Sequence, residues 1–321
     1  MTLNCVVLDD YQDAALHSAD WSGIESRAAV RVLHEHIADR DELVEALADC
    51  EIVVAMRERT AFDAPLLARL PRLRLLVTTG MRNASIDVAA ANAAGVTVCG
   101  TAGSSTSTGE LTFALILGLA RQLTVENRSL REGGPWQSTL GRDLSGSTLG
   151  LLGLGRIGGQ VARLGAAFGM DVLAWSQNLT EARAAEAGTR LAASKEELFA
   201  ASEFVSIHLV LSDRTRGLVG EEQLRAMRPD AYLVNTSRAP IVDQAALLRA
   251  LTEGWIAGAG LDVFETEPLP AGDPLRTLPN VLATPHLGYV SERNYRGFYS
   301  EVVADIAAFL DGAPIRVLSA G

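Results

Sequence analysis

The chain is short of several things, and each shortage removes a class of function. Cysteine is scarce, with Cys5, Cys50 and Cys99 each in or beside an apolar run. An odd number so placed reads as buried small hydrophobes, not as a disulfide framework or a thiol nucleophile. Basic charge is in deficit, with 28 Lys and Arg against 39 Asp and Glu, a formal net charge of −11 and a pI near 5.0. That balance argues against nucleic acid or an anionic membrane as a partner, since both call for a basic face. The longest apolar stretch, Leu111–Ala120, is about half the length of a membrane span. The opening "MTLNCVVLDDYQD" meets two aspartates at once and lacks the basic start and longer apolar run of a secretory signal. A cytoplasmic address is expected. Low-complexity tracts are missing too, and 48% hydrophobic with 21% charged residues is the composition of an ordinary soluble globular protein.

A length of 321 residues suits two domains of roughly 100–200 residues each. The first hundred residues alternate short apolar runs, "NCVVLDD", "EIVVAM", "LRLLVTT" and "VTVCG", with helical patterns such as Arg40–Ala48 and Ala64–Leu70. From Ser147 a second series follows: "STLGLLG", "MDVLAW", "FVSIHLV", "AYLVNTS", "GAGLDVF" and "NVLATP". Strands alternating with helices imply two doubly wound parallel α/β domains. Between the series, the hinge-like loop "GTAGSSTSTGE" leads into an apolar helix expected over 109–121. A last helix, expected over 291–310, is not placed by periodicity and is open to a return to the first domain.

The segment "LGLLGLGRIGGQVARLGAAFG" sets Gly153, Gly155 and Gly158 in a G-x-G-x-x-G run after a strand and at the start of a helix. The first glycine permits the tight turn, the second lets backbone approach a pyrophosphate, and the third lets helix pack on strand. With a further strand over 170–175, the context required of a dinucleotide-binding loop is complete. The acidic residue that grips the ribose diol in such sites is missing. Ser176 occupies its place, followed by Gln177 and Asn178. Loss of the carboxylate removes repulsion toward a 2′-phosphate without supplying attraction; Arg183 and Arg156 are the nearest arginines, so the cofactor is expected to be NAD or NADP.

Ligands of open α/β sheets bind outside the carboxyl ends of the strands. Arg238 follows "AYLVNTS", Glu267 follows "GAGLDVF" and His286 follows "NVLATP". Hydride delivered to a ketone leaves an alkoxide that needs a proton, and histidine is the natural donor, with a carboxylate neighbour favouring its charged form. Arginine adds a fork of donors for a carboxylate or carbonyl that lysine cannot copy. Of the five histidines, His17, His34 and His36 fall in the first domain away from the expected strand ends, and His208 lies in a strand-like run, which leaves His286.

These residues resemble the D-isomer-specific 2-hydroxyacid dehydrogenases over nearly the whole chain, on the motifs "NTSRAPIVD", "LDVFETEP" and "NVLATPHLG". The spacing, 267 − 238 = 29 and 286 − 267 = 19, is similar to that of the family. The resemblance implies a Rossmann NAD(P)-binding domain over 101–288 and a flavodoxin-like substrate domain over 1–100 plus 289–321. It implies reversible hydride transfer between NAD(P)H and a small 2-oxo acid of the glyoxylate, hydroxypyruvate or 3-phosphohydroxypyruvate type, giving the 2-hydroxy acid. Arg238 is then the substrate-binding residue, Glu267 the partner of His286, and His286 the acid/base. Asp262 is set near the nicotinamide carboxamide, with Arg156, Ile157, Ser176, His208, Thr215 and Gly288 around the cofactor. The plain alternatives are a strand-end cap for Asp262, a packed core histidine for His208 and an exposed loop acid for Glu267. No metal is implied, and a homodimer through the cofactor domain is expected.

On the substrate side, the resemblance implies a loop whose backbone amides hold the acid's carboxylate, here Gly80, Met81, Arg82 and Asn83. Arg57 and Arg59 of "AMRERT" are similar to an arginine pair that serves a substrate phosphate, while Glu58 and Asp63 offer them ordinary surface partners. Two departures bear on the substrate: Ala239 follows the arginine where glycine is usual, and Tyr289 follows Gly288 where a small residue is common. A regulatory domain after the closing helix is not expected. Two rivals share the fold: a formate dehydrogenase, in which glutamine replaces Glu267, and a non-enzymatic dinucleotide-sensing corepressor.

Overall fold

Short runs of Val, Ile and Leu become strands here because both faces of each sheet are covered, so a run needs no polar alternation. In a computed structural model that describes residues 2–319, contacts group the chain into Met1–Ser104 with Val290–Gly321, and Ser105–Tyr289. The first unit holds five strands, β1 (Leu3–Val7), β2 (Ala28–Val32), β3 (Ile52–Ala55), β4 (Leu75–Thr78) and β5 (Thr97–Gly100), all parallel in the order β2-β1-β3-β4-β5. That is the flavodoxin-like order. One face of this sheet packs Val6, Val53, Ala55 and Leu76 with Leu43, Leu47, Phe62 and Leu66. The helix Glu292–Leu310 belongs to this unit and buries Tyr295, Phe298, Tyr299, Val302 and Ile306. Ser291 caps its start, accepting from the Asn294 N–H.

The second unit holds β6 (Thr148–Leu152), β7 (Asp171–Trp175), β8 (Arg190–Leu191), β9 (Phe204–Ile207), β10 (Tyr232–Asn235), β11 (Gly258–Leu261) and β12 (Val281–Ala283). They form one parallel sheet in the order β12-β11-β10-β9-β6-β7-β8, the Rossmann order with an added strand at one edge. Successive residues point to opposite faces. Leu233 accordingly joins the core with Leu198, Phe199 and Leu247, and Val234 joins the one with Phe113, Ile116 and Val161. Register then levels the strand ends. Trp175, Leu152, Ile207, Asn235, Leu261 and Ala283 stand side by side, so whatever follows each of them emerges along one edge.

Three boundaries differ from the sequence expectation. The apolar helix runs Thr106–Ala120 and so begins inside the expected loop. Its hydroxyl-rich first turn has no side-chain cap on Ser105, but Gln160 Nε2 donates to the Thr106 carbonyl and Thr108 Oγ1 to that of Gly288. Tertiary bonds thus override weak helix propensity. The boundary between units falls at Ser104, since the Ala102 N–H donates to Glu301 and the Ser104 N–H to Asn294, both in the first unit's last helix. β2, which the sequence reading passed over, is an edge strand with Ala29 and Val30 pairing to β1. Among the described residues no helix is long and apolar enough to cross a membrane. Cys5, Cys50 and Cys99 are free and buried, and desolvation pushes the Cys5 and Cys99 thiols up to about 12.

His208 follows β9 directly, its carbonyl against Gly153 and its Nε2 2.9 Å from Ser206 Oγ. Its Nδ1 is sealed from solvent with no partner among the described residues. Burial pushes the imidazole from 6.5 down to about 3. Below pH 6.5 the unfolded chain therefore takes up a proton that the folded chain refuses, so this contribution to stability is complete above about pH 6.5 and is lost as pH falls toward about 3. Urea melts at about pH 7 and about pH 5 are expected to show a larger loss of midpoint for the wild type than for His208→Asn. Equal losses would mean that the imidazole titrates freely.

Candidate active site

The glycine loop is built around its neighbours. Gly153 has φ +106°, and a Cβ there would stand 2.8 Å from the His208 carbonyl oxygen, while one on Gly158 would stand 2.2 Å from the Gly153 carbonyl oxygen. Both positions therefore exclude any side chain. Gly155 is different: it is exposed, caps the helix Arg156–Ala167 without a side chain, and has nothing within 4 Å of where a Cβ would be. The first N–H groups of that helix are thus reachable, which is the arrangement that takes a phosphate. Arg156 is exposed in its first turn, whereas Ile157 packs its side chain into the core beneath. These features fit a dinucleotide's pyrophosphate.

The Gly153 N–H donates to the Trp175 carbonyl at 2.8 Å, which ties the loop to the end of β7 and sets Ser176 beside it. Ser176 is half-buried, and Gln177 and Asn178 are exposed on a turn closed by the Leu179 N–H on the Ser176 carbonyl. No acid stands at these three positions. Gln177 Oε1 accepts from Arg214 Nη2 at 2.5 Å, a residue that the sequence reading passed over in favour of Arg156 and Arg183. Thr215 is spent within its own loop, its Oγ1 accepting from the Ser212 N–H and donating to the Val210 carbonyl, each at 2.8 Å.

Arg238 follows β10 on a turn that its neighbours fix. Asn235 Oδ1 accepts from the Ser237 N–H at 3.0 Å, Asn235 Nδ2 donates to the Arg238 carbonyl at 3.1 Å, and Ser237 Oγ donates to the Ile207 carbonyl at 2.9 Å. The Asn-x-Ser-Arg run is thus a clamp that holds an arginine at the strand end. Ala239 is buried beneath it.

Asp262 follows β11 and is fully buried. Its Oδ1 accepts from Thr284 Oγ1 at 2.6 Å and from the Leu287 N–H at 2.7 Å, and its Oδ2 accepts from the Gly288 N–H at 2.8 Å. Desolvation pushes its carboxyl up, opposed by the Thr284 and backbone bonds and by the charge His286 carries when protonated. The carboxylate thus faces the turn 284–288 and anchors it to the end of β11. Inside that turn His286 takes a left-handed φ of 53°, a costly state for a residue with a large side chain. Its Nδ1 lies 2.6 Å from Glu267 Oε2, and Glu267 Oε1 accepts from the Phe264 N–H at 2.9 Å. The Tyr289 ring stands edge-on to the imidazole, centroids 5.3 Å apart.

In the first unit, the turn after β4 is partly committed to the fold. The Gly80 N–H donates to Thr101 Oγ1 at 3.0 Å, and Asn83 Nδ2 donates to the Arg57 carbonyl at 2.5 Å and to Thr78 Oγ1 at 2.9 Å. The N–H groups of Met81 and Arg82 carry no hydrogen bond among the described residues. The Arg57 guanidinium lies against Gly80, donates to the Thr79 carbonyl at 3.2 Å and pairs with Glu58 at 3.5 Å. Arg59 donates to the Asp9 carbonyl and covers the Tyr11 ring at 4.2 Å, while Asp63 pairs with Arg40 instead. Asp10, Asp13 and His34 bring ligand-type atoms within 4.8 Å of one another. Both Asp10 oxygens, however, already accept the N–H groups of Ala14 and Ala15.

Residues 113–288 match the family described as D-isomer specific 2-hydroxyacid dehydrogenase, NAD binding domain. The chain is 39% identical over 295 residues to a glyoxylate reductase of Korarchaeum cryptofilum, covering 90% of this chain and 85% of that one. It is 40% identical over 253 residues to a D-3-phosphoglycerate dehydrogenase of Mycobacterium tuberculosis, covering 78% of this chain and 47% of that protein. A crystal structure of a phosphoglycerate oxidoreductase from Vibrio cholerae superposes with a TM-score of 0.93 at 39% identity, covering 97% and 100% of the two chains. The chain belongs to the D-isomer specific 2-hydroxyacid dehydrogenase family, and its second unit carries the family's NAD-binding domain.

Proposed function

We propose that this dehydrogenase interconverts a small 2-oxo acid of the glyoxylate or hydroxypyruvate type and its D-2-hydroxy acid, with Arg238, Glu267 and His286 as its catalytic residues. The observation that carries this is the 2.6 Å contact between His286 Nδ1 and Glu267 Oε2, on the same sheet edge as Arg238 and the glycine loop. When bound, the nicotinamide supplies or accepts the hydride. Glu267 takes the Nδ1–H and so turns Nε2 outward, the atom that gives a proton to the forming alkoxide and recovers it in the reverse direction. Arg238 binds the carboxylate and polarises the carbonyl through its fork of donors. Asp262 acts through the turn that it anchors, and the glycine loop, Arg156, Ser176, Thr215 and Gly288 form the nucleotide-binding face around His208.

In the first unit, the Met81 and Arg82 N–H groups are the proposed carboxylate nest. The engagement of Arg57 with Glu58 and Thr79, and of Arg59 with Asp9 and Tyr11, favours an unphosphorylated acid. The relative named glyoxylate reductase points the same way.

Oligomerisation is also proposed. The helix Leu123–Arg131 buries no residue, and Leu123, Leu130, Trp136 and Leu140 are exposed, Leu140 at 99%. Such a run of apolar surface within one unit suits a second copy of the chain. A Trp136→Asp, Leu140→Asp double variant is expected to sediment as a monomer where the wild type sediments as a dimer; a monomeric wild type would contradict the proposal.

For the chemistry, His286→Ala and Arg238→Ala are each expected to lose about 10²–10⁴ in kcat, with dinucleotide affinity kept in a binding titration. Glyoxylate or hydroxypyruvate is expected to exceed 3-phosphohydroxypyruvate in kcat/KM. Turnover near the wild type in either variant would overturn the catalytic assignment, and preference for the phosphorylated acid would overturn the substrate assignment.

A further inference from the structure

The end of β7 poses a chemical problem that the family assignment leaves open. A ribose diol offers two O–H groups and needs an acceptor to receive them, the part a carboxylate plays in NAD-binding folds. Here β7 is followed by Ser176, Gln177 and Asn178, none of them a carboxylate, and Gln177 Oε1 is already taken by Arg214 Nη2 at 2.5 Å.

Arg214 does not reach that place by chance of a loose loop. It sits on the segment after β9, where Thr215 Oγ1 bonds both the Ser212 N–H and the Val210 carbonyl, and the N–H groups of Thr215 and Arg216 return to the Ser212 carbonyl at 3.0 and 2.9 Å. The next residues are fastened in turn, the Gly217 N–H to the Pro240 carbonyl and the Val219 N–H to that of Ile241. The pinned turn carries one guanidinium over the end of β7. Among the described residues Arg214 forms no ion pair, although Asp213 is its neighbour in sequence. Its charge is held by a neutral amide and left uncompensated. The chain's single lysine, Lys195, donates to the Leu218 carbonyl and is spent elsewhere.

The contact also orients the amide. With Oε1 taken by Arg214, Gln177 keeps its NH₂ group as a donor, and the Ser176 hydroxyl next to it in the chain and the other guanidinium N–H groups of Arg214 add to the set. The set is rich in donors and carries a net positive charge. It lacks the strong acceptor that a diol requires and supplies what a phosphate dianion requires.

We infer that the second unit selects the 2′-phosphorylated dinucleotide, NADP(H), over NAD(H), with Arg214 as the selecting residue and Gln177 as its brace. The inference rests on the reading of this unit as a dinucleotide site. Arg214 was missed in the sequence because it lies 37 positions from Gln177, beyond two helices and two strands. Only the sheet order brings the loop after β9 and the turn after β7 to one edge, on either side of β6.

The test is equilibrium titration of the full chain with NADPH and NADH without substrate, read by quenching of tryptophan fluorescence, Trp175 being the last residue of β7. Competition with 2′,5′-ADP and with 5′-AMP isolates the phosphate. NADPH is expected to bind at least about tenfold more tightly than NADH, and 2′,5′-ADP to compete where 5′-AMP does not. Arg214→Ala is expected to weaken NADPH by about tenfold or more and leave NADH nearly unchanged, with Arg214→Lys between the two. NADH binding as tightly as NADPH, or Arg214→Ala weakening both equally, would overturn the inference and leave the dinucleotide site standing. Failure of the folded wild type to bind either would remove the dinucleotide reading, and this inference with it.

Discussion

A buried carboxylate holds the chemistry of this protein in place. Asp262 is sealed at the end of β11, where an unpaired acid would be strongly unfavourable, and its two oxygens are satisfied by one hydroxyl and two backbone N–H groups of the turn 284–288. Those bonds couple the end of one strand to the loop after the next. Within the turn so anchored His286 takes a left-handed φ of 53°. From there the imidazole meets Glu267, whose second oxygen is fixed by the Phe264 N–H. The two sets of bonds meet in the turn 284–288, and in each the removal of one member leaves another without its partner.

The sheet supplies the remaining order. Parallel register across seven strands levels their carboxyl ends, so the glycine loop, the turn of Gln177, the clamp on Arg238 and the anchor of Asp262 arise along one edge. Residues that lie far apart in the chain become neighbours without any long-range design beyond strand order. The same logic explains why His208 differs from His286. One is packed under the glycine loop and driven to the neutral form by burial, and the other stands at the edge with a carboxylate beside it.

Much of this was legible in the sequence, for local reasons. A glycine whose Cβ would strike backbone has no substitute, so the phosphate loop announces itself; a fully buried strand is a plain apolar run, so nearly every central strand did as well. Arg238, Glu267 and His286 stood out because each lies within a few residues of the end of such a run, and the fold adds the 2.6 Å contact of His286 with Glu267. What escaped depends on partners distant in the chain. β2 alternates half-heartedly because one of its edges is open, and the helix from Thr106 starts on residues of poor propensity held by Gln160 and Gly288. The bonds by which Asp262 and Thr215 shape the loops that carry the functional groups likewise join residues that no local pattern pairs. The partners of Arg57 and Arg59, the Thr79 and Asp9 carbonyls, are likewise ones that composition could not single out.

The central claim is that one imidazole, aimed by Glu267, carries the proton in both directions. It is tested most directly by the pH dependence of kcat/KM for reduction of the 2-oxo acid and for oxidation of the 2-hydroxy acid, measured with the same dinucleotide pair. Reduction needs the proton on Nε2 and is expected to fall as pH rises; oxidation needs the bare nitrogen and is expected to fall as pH drops, each with the slope of a single group. Profiles that lose activity on the same side in both directions would contradict the account.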